Sequence, residues 1–125
     1  MLVDTDVLIW YLKGNQNAFN LIEKYNEFNI SVVTYIELVQ GMRNKNELNI
    51  FRKTFREWNA KIIFVNEEIS FKAMFYIENF FLSHSLELAD SLISATSIVY
   101  NLPLVTGNDK HYKIIKELNI IKFAI

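Results

Sequence analysis

Apolar residues along this chain fall into two kinds of run: short blocks with no polar spacing, and longer stretches in which they recur every three or four positions. The short blocks predict strands at Leu2–Val3, Ile30–Val33, Lys61–Val65, Leu104–Thr106 and Ile120–Phe123. The longer stretches predict helices over Val7–Leu12, Ala18–Glu27, Thr34–Met42, Glu47–Trp58, Glu67–Leu82, Ala89–Tyr100 and Lys110–Leu118. Strand and helix alternate nearly throughout, which predicts an α/β fold: a parallel sheet of four to five strands with helices on both faces. The unbroken apolar runs Ile62–Val65 and Ile120–Ile121 suit strands buried on both sides. In open sheets of this kind ligands bind beyond the carboxyl ends of the strands, near the point where strand order reverses. The residues that follow each strand are therefore the ones to inspect.

Those residues are acidic. Asp4-Thr5-Asp6 follows the first strand, Thr34-Tyr35-Ile36-Glu37 the second, and Thr106-Gly107-Asn108-Asp109 the fourth, while Asp90 opens the helix before it. Each has a structural reading of its own. Asp4 or Thr5 can cap the first helix. Thr34-x-x-Glu37 has the capping-box pattern, and taken alone Glu37 reads as a cap. Asn108-Asp109 suits a turn. Asp90 is harder to explain in this way, because it shares a helix side with Ile93, Ser94 and Ser97, a small polar face with room for a half-buried site. Joint position changes the weighing: carboxylates gathered at one end of a sheet repel and raise each other's pKa values, and a cation resolves the conflict.

Composition narrows the cation and the setting. There are 125 residues, enough for one domain over 1–125, with 51% hydrophobic residues and only 3 Gly and 1 Pro, which excludes a disordered profile. No cysteine is present, so disulfides and thiolate metal sites fall away and hard oxygen ligands point to Mg²⁺ or Mn²⁺. Two aspartates interrupt the opening MLVDTDVLIW, and no apolar run approaches the ~18 residues of a membrane span, so a cytoplasmic protein with no membrane role is expected. Thirteen basic against 14 acidic side chains leave a formal charge of −1, with no long-range pull on a polyanion. Phosphate would have to be neutralised locally, by metal and by side chains such as Lys13, Arg43, Lys110 and Lys113.

At Leu2-Val3-Asp4-Thr5-Asp6-Val7-Leu8-Ile9, Ser31 to Gly41, Leu88 to Thr96 and Leu104 to Tyr112, order and spacing resemble the four motifs of the PIN-domain ribonucleases, and within them the VapC toxins of prokaryotic toxin–antitoxin pairs. The resemblance covers almost the whole chain. It implies a three-layer PIN-like fold and an acidic triad of Asp4, Glu37 and Asp90 holding one or two Mg²⁺ or Mn²⁺ ions. It further implies that Asp109 joins them in catalysis, that Thr5, Thr106 and Asn108 position water, carboxylate or substrate, and that single-stranded RNA is cut by water the metal activates. A homodimer joined through helices is implied too, with an antitoxin whose tail covers an apolar groove and places a basic side chain in the acidic pocket. The fourth motif departs from the commonest pattern: His111 precedes Tyr112 where a carboxylate often stands, which leaves open whether Asn108 or Asp109 completes the site.

Two other readings compete. Asp4-x-Asp6 after a first strand also resembles the haloacid-dehalogenase phosphatases, with Asp4 as nucleophile, but Val7 follows Asp6 where a Gly is wanted and Glu37 has no use there. The other is a catalytically inert PIN-fold interaction module, which the presence of all three of Asp4, Glu37 and Asp90 argues against. The aromatic residues Trp10, Tyr11, Phe51, Phe55 and Trp58 lie on predicted helices, where core packing is the simpler reading.

Overall fold

The computed structural model describes residues 1–25, 27–83 and 85–125. It contains β1 (Leu2–Val3), α1 (Thr5–Leu12), α2 (Gln16–Lys24), β2 (Phe28–Ser31), α3 (Val32–Gln40), α4 (Lys45–Glu57), β3 (Ala60–Ile63), α5 (Glu67–Phe80), α6 (Leu88–Val99), β4 (Leu104–Thr106), α7 (Asp109–Tyr112) and β5 (Ile120–Lys122). All five strands run parallel, in the order β3-β2-β1-β4-β5. Strand order therefore reverses at β1, whose two neighbours are β2 and β4, and the crevice beyond the carboxyl ends of β1 and β4 is where a ligand is expected.

Successive strand residues supply opposite faces. Leu2 and Leu104 pack with Ile69, Ala73, Tyr76, Ile93 and Tyr112 of α5, α6 and α7, while Val3 and Val105 pack with Val7, Ile22, Leu38 and Phe51 of α1 to α4 and with Trp58, which caps α4. This is the expected three-layer arrangement. Phe51 and Trp58 are core residues, within a nest of rings that includes Tyr11, Phe28, Tyr35 and Phe55. Among the described residues no helix is long and apolar enough to cross a membrane.

Most boundaries differ from the periodicity by a few residues, and three of the differences have a clear local reason. The second strand was expected at Ile30–Val33 but ends at Ser31, because the Ser31 hydroxyl accepts the Val33 N–H at 3.1 Å and turns Val32 and Val33 into the first turn of α3. β-branched propensity yields there to a cap. The helix expected over Ala18–Glu27 instead begins at Gln16, capped by Asn15, and ends at Lys24, and Asn26 within that expectation lies outside the described residues. The helix expected over Lys110–Leu118 is only four residues long. Beyond it Ile115 N–H bonds to Tyr112 O and Leu118 N–H to Ile115 O, a turn every three residues that buries Tyr112, Ile115 and Leu118 in line.

Candidate active site

Asp4 leaves β1 and caps α1. Its Oδ1 accepts the Thr5 N–H at 2.8 Å, and its Oδ2 accepts the Thr106 hydroxyl, at the end of neighbouring β4, also at 2.8 Å. Thr106 Oγ1 in turn accepts the Asn108 N–H at 3.0 Å, so the exit of β4 is folded around this one hydroxyl. The Asp4 side chain is buried, and burial first, with neighbouring Asp6 second, pushes its pKa up to about 6 against the hydrogen bonds that lower it. Among the described residues no Lys or Arg pairs with it.

Asp6 was quoted in the first motif without a role, and it belongs to the site. Its Oδ2 accepts the Gly107 N–H at 2.9 Å and its Oδ1 the Val7 N–H at 2.9 Å, and burial raises its pKa as well. The approach is close: a Cβ on Gly107 would lie 2.8 Å from Asp6 Oδ2. The usable signal was the Asp-x-Asp spacing after a strand. Tyr112 is a second addition, since its hydroxyl bonds to Asp4 and feels the charges of Asp90 and Asp6, and burial followed by those charges drives its pKa far above the phenol range.

The helix-capping readings exchange places. Glu37 was the expected capping-box partner of Thr34, but Ser31 caps α3, and Glu37 Oε1 instead accepts the Thr5 hydroxyl at 2.7 Å. The Thr5 and Thr34 hydroxyls are 3.0 Å apart, so a chain of hydrogen bonds joins α3 to the start of α1. Asp90, which resisted a structural reading, is itself a capping-box residue: its Oδ2 accepts the Glu87 N–H at 3.1 Å, and Glu87 caps α6 in return. Nor do the small residues of α6 open a polar cavity. The Ser91, Ser94 and Thr96 hydroxyls bond to carbonyls one turn back at 2.7 Å and pack the helix tightly against its neighbours.

In the fourth motif, Asp109 Oδ2 stands 3.5 Å from Lys113 Nζ on the next turn, whereas His111 Nδ1 stands 3.7 Å from Asp90 Oδ2. Of the basic residues, Arg43 pairs with Glu47 at 2.7 Å, Lys13 lies over the Trp10 ring, and Lys110 is exposed.

No three Asp, Glu or His side chains among the described residues are close enough to hold a cation between them. The donor chemistry nevertheless fits a hard divalent ion, because Mg²⁺ is commonly held by one or two carboxylates and keeps waters for the rest. Asp4, a buried carboxylate that no Lys or Arg among the described residues pairs with, and Asp90, whose charge also acts on the Tyr112 hydroxyl, would be the two carboxylates for such an ion.

The PIN-domain family profile matches residues 1–117. Ribonuclease VapC1 of Methanocaldococcus jannaschii is 32% identical over 96% of this chain and 84% of its own length. Ribonuclease VapC10 of Mycobacterium tuberculosis is 34% identical over 94% of this chain and 90% of its own. Among solved structures, a toxin–antitoxin complex from Klebsiella pneumoniae aligns with a TM-score of 0.80 at 23% identity, covering 98% of this chain and 97% of that one. VapBC-1 of nontypeable Haemophilus influenzae aligns with a TM-score of 0.80 at 19% identity, covering 98% of this chain and 96% of that one.

Proposed function

The chain belongs to the PIN-domain family and is a VapC-type ribonuclease, the toxin of a toxin–antitoxin pair, and from that premise we propose that Asp4 and Asp90 hold Mg²⁺ or Mn²⁺ for cleavage of single-stranded RNA. The observation that carries this reading is Asp4: a carboxylate buried at the β1–β4 crevice, raised to about 6 and without a basic partner among the described residues, is in the position that a cation would stabilise most. When bound, the ion supplies an activated water and neutralises charge on the phosphate. Thr106 and the Thr5 N–H aim the two Asp4 oxygens, Asp6 adds negative charge beside them, and Glu37 reaches the site through the Thr5 hydroxyl. Asn108 keeps Thr106 in register by its N–H, whereas Asp109 stands against Lys113 on the next turn.

The phosphatase reading gains no support, since Val7 follows Asp6 where a Gly is wanted and Glu37, which that scheme does not use, is tied to Thr5 beside Asp4. For partners, the reading takes an antitoxin tail along the groove lined by Ile9, Leu12, Met42, Ile50 and Phe51, which has Glu37 on its wall. A homodimer would use the outward face of α5, where Phe71, Met74 and Phe75 are exposed.

Cleavage of single-stranded RNA in Mg²⁺ or Mn²⁺ by the wild-type chain, and its loss in folded Asp4→Asn and Asp90→Asn variants, is the test. Undiminished cleavage in both variants would overturn the assignment. Growth arrest on expression of the chain alone, relieved by Asp4→Asn, would carry the result to the toxin role.

A further inference from the structure

We propose that Thr34 is a positioning residue of the cleavage site: its buried hydroxyl donates to Thr5 Oγ1 and so holds Thr5 in the rotamer that binds Glu37. The inference rests on the reading that Glu37 serves the site through Thr5, and adds a residue which that reading does not contain.

Counting protons gives the chain a direction. Thr5 Oγ1 stands 2.7 Å from Glu37 Oε1 and 3.0 Å from Thr34 Oγ1, and a hydroxyl carries one proton to share between them. A carboxylate only accepts, so the Thr5 proton lies toward Glu37 and the Thr34 proton toward Thr5. The two lengths agree, because bonds to a carboxylate are the shorter kind. Polarity then runs one way, from Thr34 through Thr5 to Glu37, and each bond strengthens the next.

Thr34 has no second use for that proton. Its side chain is fully buried, and among the described residues its hydroxyl has no hydrogen-bond partner besides Thr5. The hydroxyls of Thr54, Ser70, Ser91, Ser94 and Thr96 all turn back to a carbonyl of the preceding turn, whereas that of Thr34 leaves α3 for a residue 29 positions away. Thr34 and Glu37 lie three apart on one side of α3, so one helix face supplies both ends of the chain and clasps Thr5 between them. A helical Thr divides between two rotamers when nothing decides for it. Here the bonds to α3 decide, and losing the Thr34 proton loosens Thr5 and Glu37 together.

The experiment compares Thr34→Val, which keeps the shape and removes the hydroxyl, with Thr34→Ser, which keeps the hydroxyl, and repeats Thr34→Val in Glu37→Gln. Thr34→Ala takes the place of Thr34→Val if circular dichroism shows the latter to disturb the fold. Cleavage of single-stranded RNA in Mn²⁺ gives kcat and KM, and the ¹³C shift of the Glu37 carboxyl carbon in EDTA reports on the side chain with no metal present. In Thr34→Val kcat should fall about three- to tenfold, the rate equivalent of one neutral hydrogen bond, with KM unchanged and the Glu37 shift moved. Thr34→Ser should restore both. Added to Glu37→Gln, Thr34→Val should cost little more, because the charge whose place it sets is already gone. A wild-type kcat in Thr34→Val, an unmoved Glu37 shift, or a loss that multiplies in full with that of Glu37→Gln would overturn the role of Thr34 while leaving Glu37 in the site. Undiminished cleavage in Glu37→Gln would overturn the reading of Glu37, and this inference with it.

Discussion

The Thr5 hydroxyl donates to Glu37 Oε1 at 2.7 Å, and this bond joins the first turn of α1 to the middle of α3 across 32 residues. Because Asp4 caps the same turn, the position of the buried carboxylate and the position of Glu37 are set together. Glu37→Gln keeps an oxygen for Thr5 and removes only the charge. We expect it to change stability by no more than about 0.5 kcal/mol and to lower cleavage, whereas Glu37→Ala should also cost about 1 kcal/mol by removing the acceptor. Urea melts and single-turnover cleavage on both variants separate the two effects.

Asp4→Asn should stabilise the protein in EDTA while abolishing cleavage. The amide oxygen can still accept the Thr5 N–H, and the new NH₂ can donate to Thr106 Oγ1, which also takes the Asn108 N–H at 3.0 Å. The Thr106 hydroxyl proton loses its Asp4 acceptor, at about 1–3 kcal/mol, against which stands the charge removed, on the order of 3 kcal/mol. What disappears is a charge that burial and Asp6 make costly. Several kcal/mol of metal-borne transition-state stabilisation go with it, so cleavage should drop roughly 10³-fold. A lowered melting temperature in EDTA would contradict the burial argument even if activity were lost.

The same carboxylate sets a pH dependence. Its pKa is higher folded, at about 6, than the ordinary 3.8, so between those values the folded chain holds the proton more tightly and the unfolded chain binds fewer. Stability without divalent ions should therefore fall as pH rises from about 4 through 6 and level off above, by on the order of 3 kcal/mol from this group alone. Asp6, raised by its own burial, acts in the same direction. Saturating Mn²⁺ should flatten the fall. Chemical denaturation at a series of pH values with EDTA, then with Mn²⁺, measures both, and stability that rises over this interval in EDTA would refute the assignment.

How much of this was legible beforehand divides by the range of the interaction. The alternation of strand and helix and the gathering of Asp4, Glu37 and Asp90 at one end of the sheet followed from period and from strand exits. The caps did not, because a cap is decided by where a strand stops. β2 stops at Ser31, the last residue in register with β3, so Ser31 rather than Thr34 starts α3. Asp90 was credited with a special polar face that its neighbours do not make, since the Ser94 hydroxyl is spent on the Asp90 carbonyl and the Ser97 hydroxyl on the Leu102 carbonyl. Asp6 escaped a role because its partner Gly107 is 101 residues away and meets it only once β4 pairs beside β1.

That meeting gives the final prediction. Gly107 sits between the Asp6 carboxylate and the Phe123 backbone, where an added Cβ would lie 2.8 Å from Asp6 Oδ2 and 3.4 Å from Phe123 O. The first contact cannot stand, and the carboxylate can yield only by giving up the Gly107 N–H, leaving a partly buried donor and acceptor apart. The second is backbone of the chain running on from β5 and gives less. Gly107→Ala should thus cost roughly 1–3 kcal/mol, as overpacking commonly does, and should displace the exit of β4 where Thr106 aims Asp4. Cleavage should fall with it, and part of the lost stability should return in the double variant Asp6→Ala/Gly107→Ala, which removes the carboxylate that the new methyl meets. Equal destabilisation in the single and double variants would show that the Asp6 contact is not what keeps residue 107 a glycine.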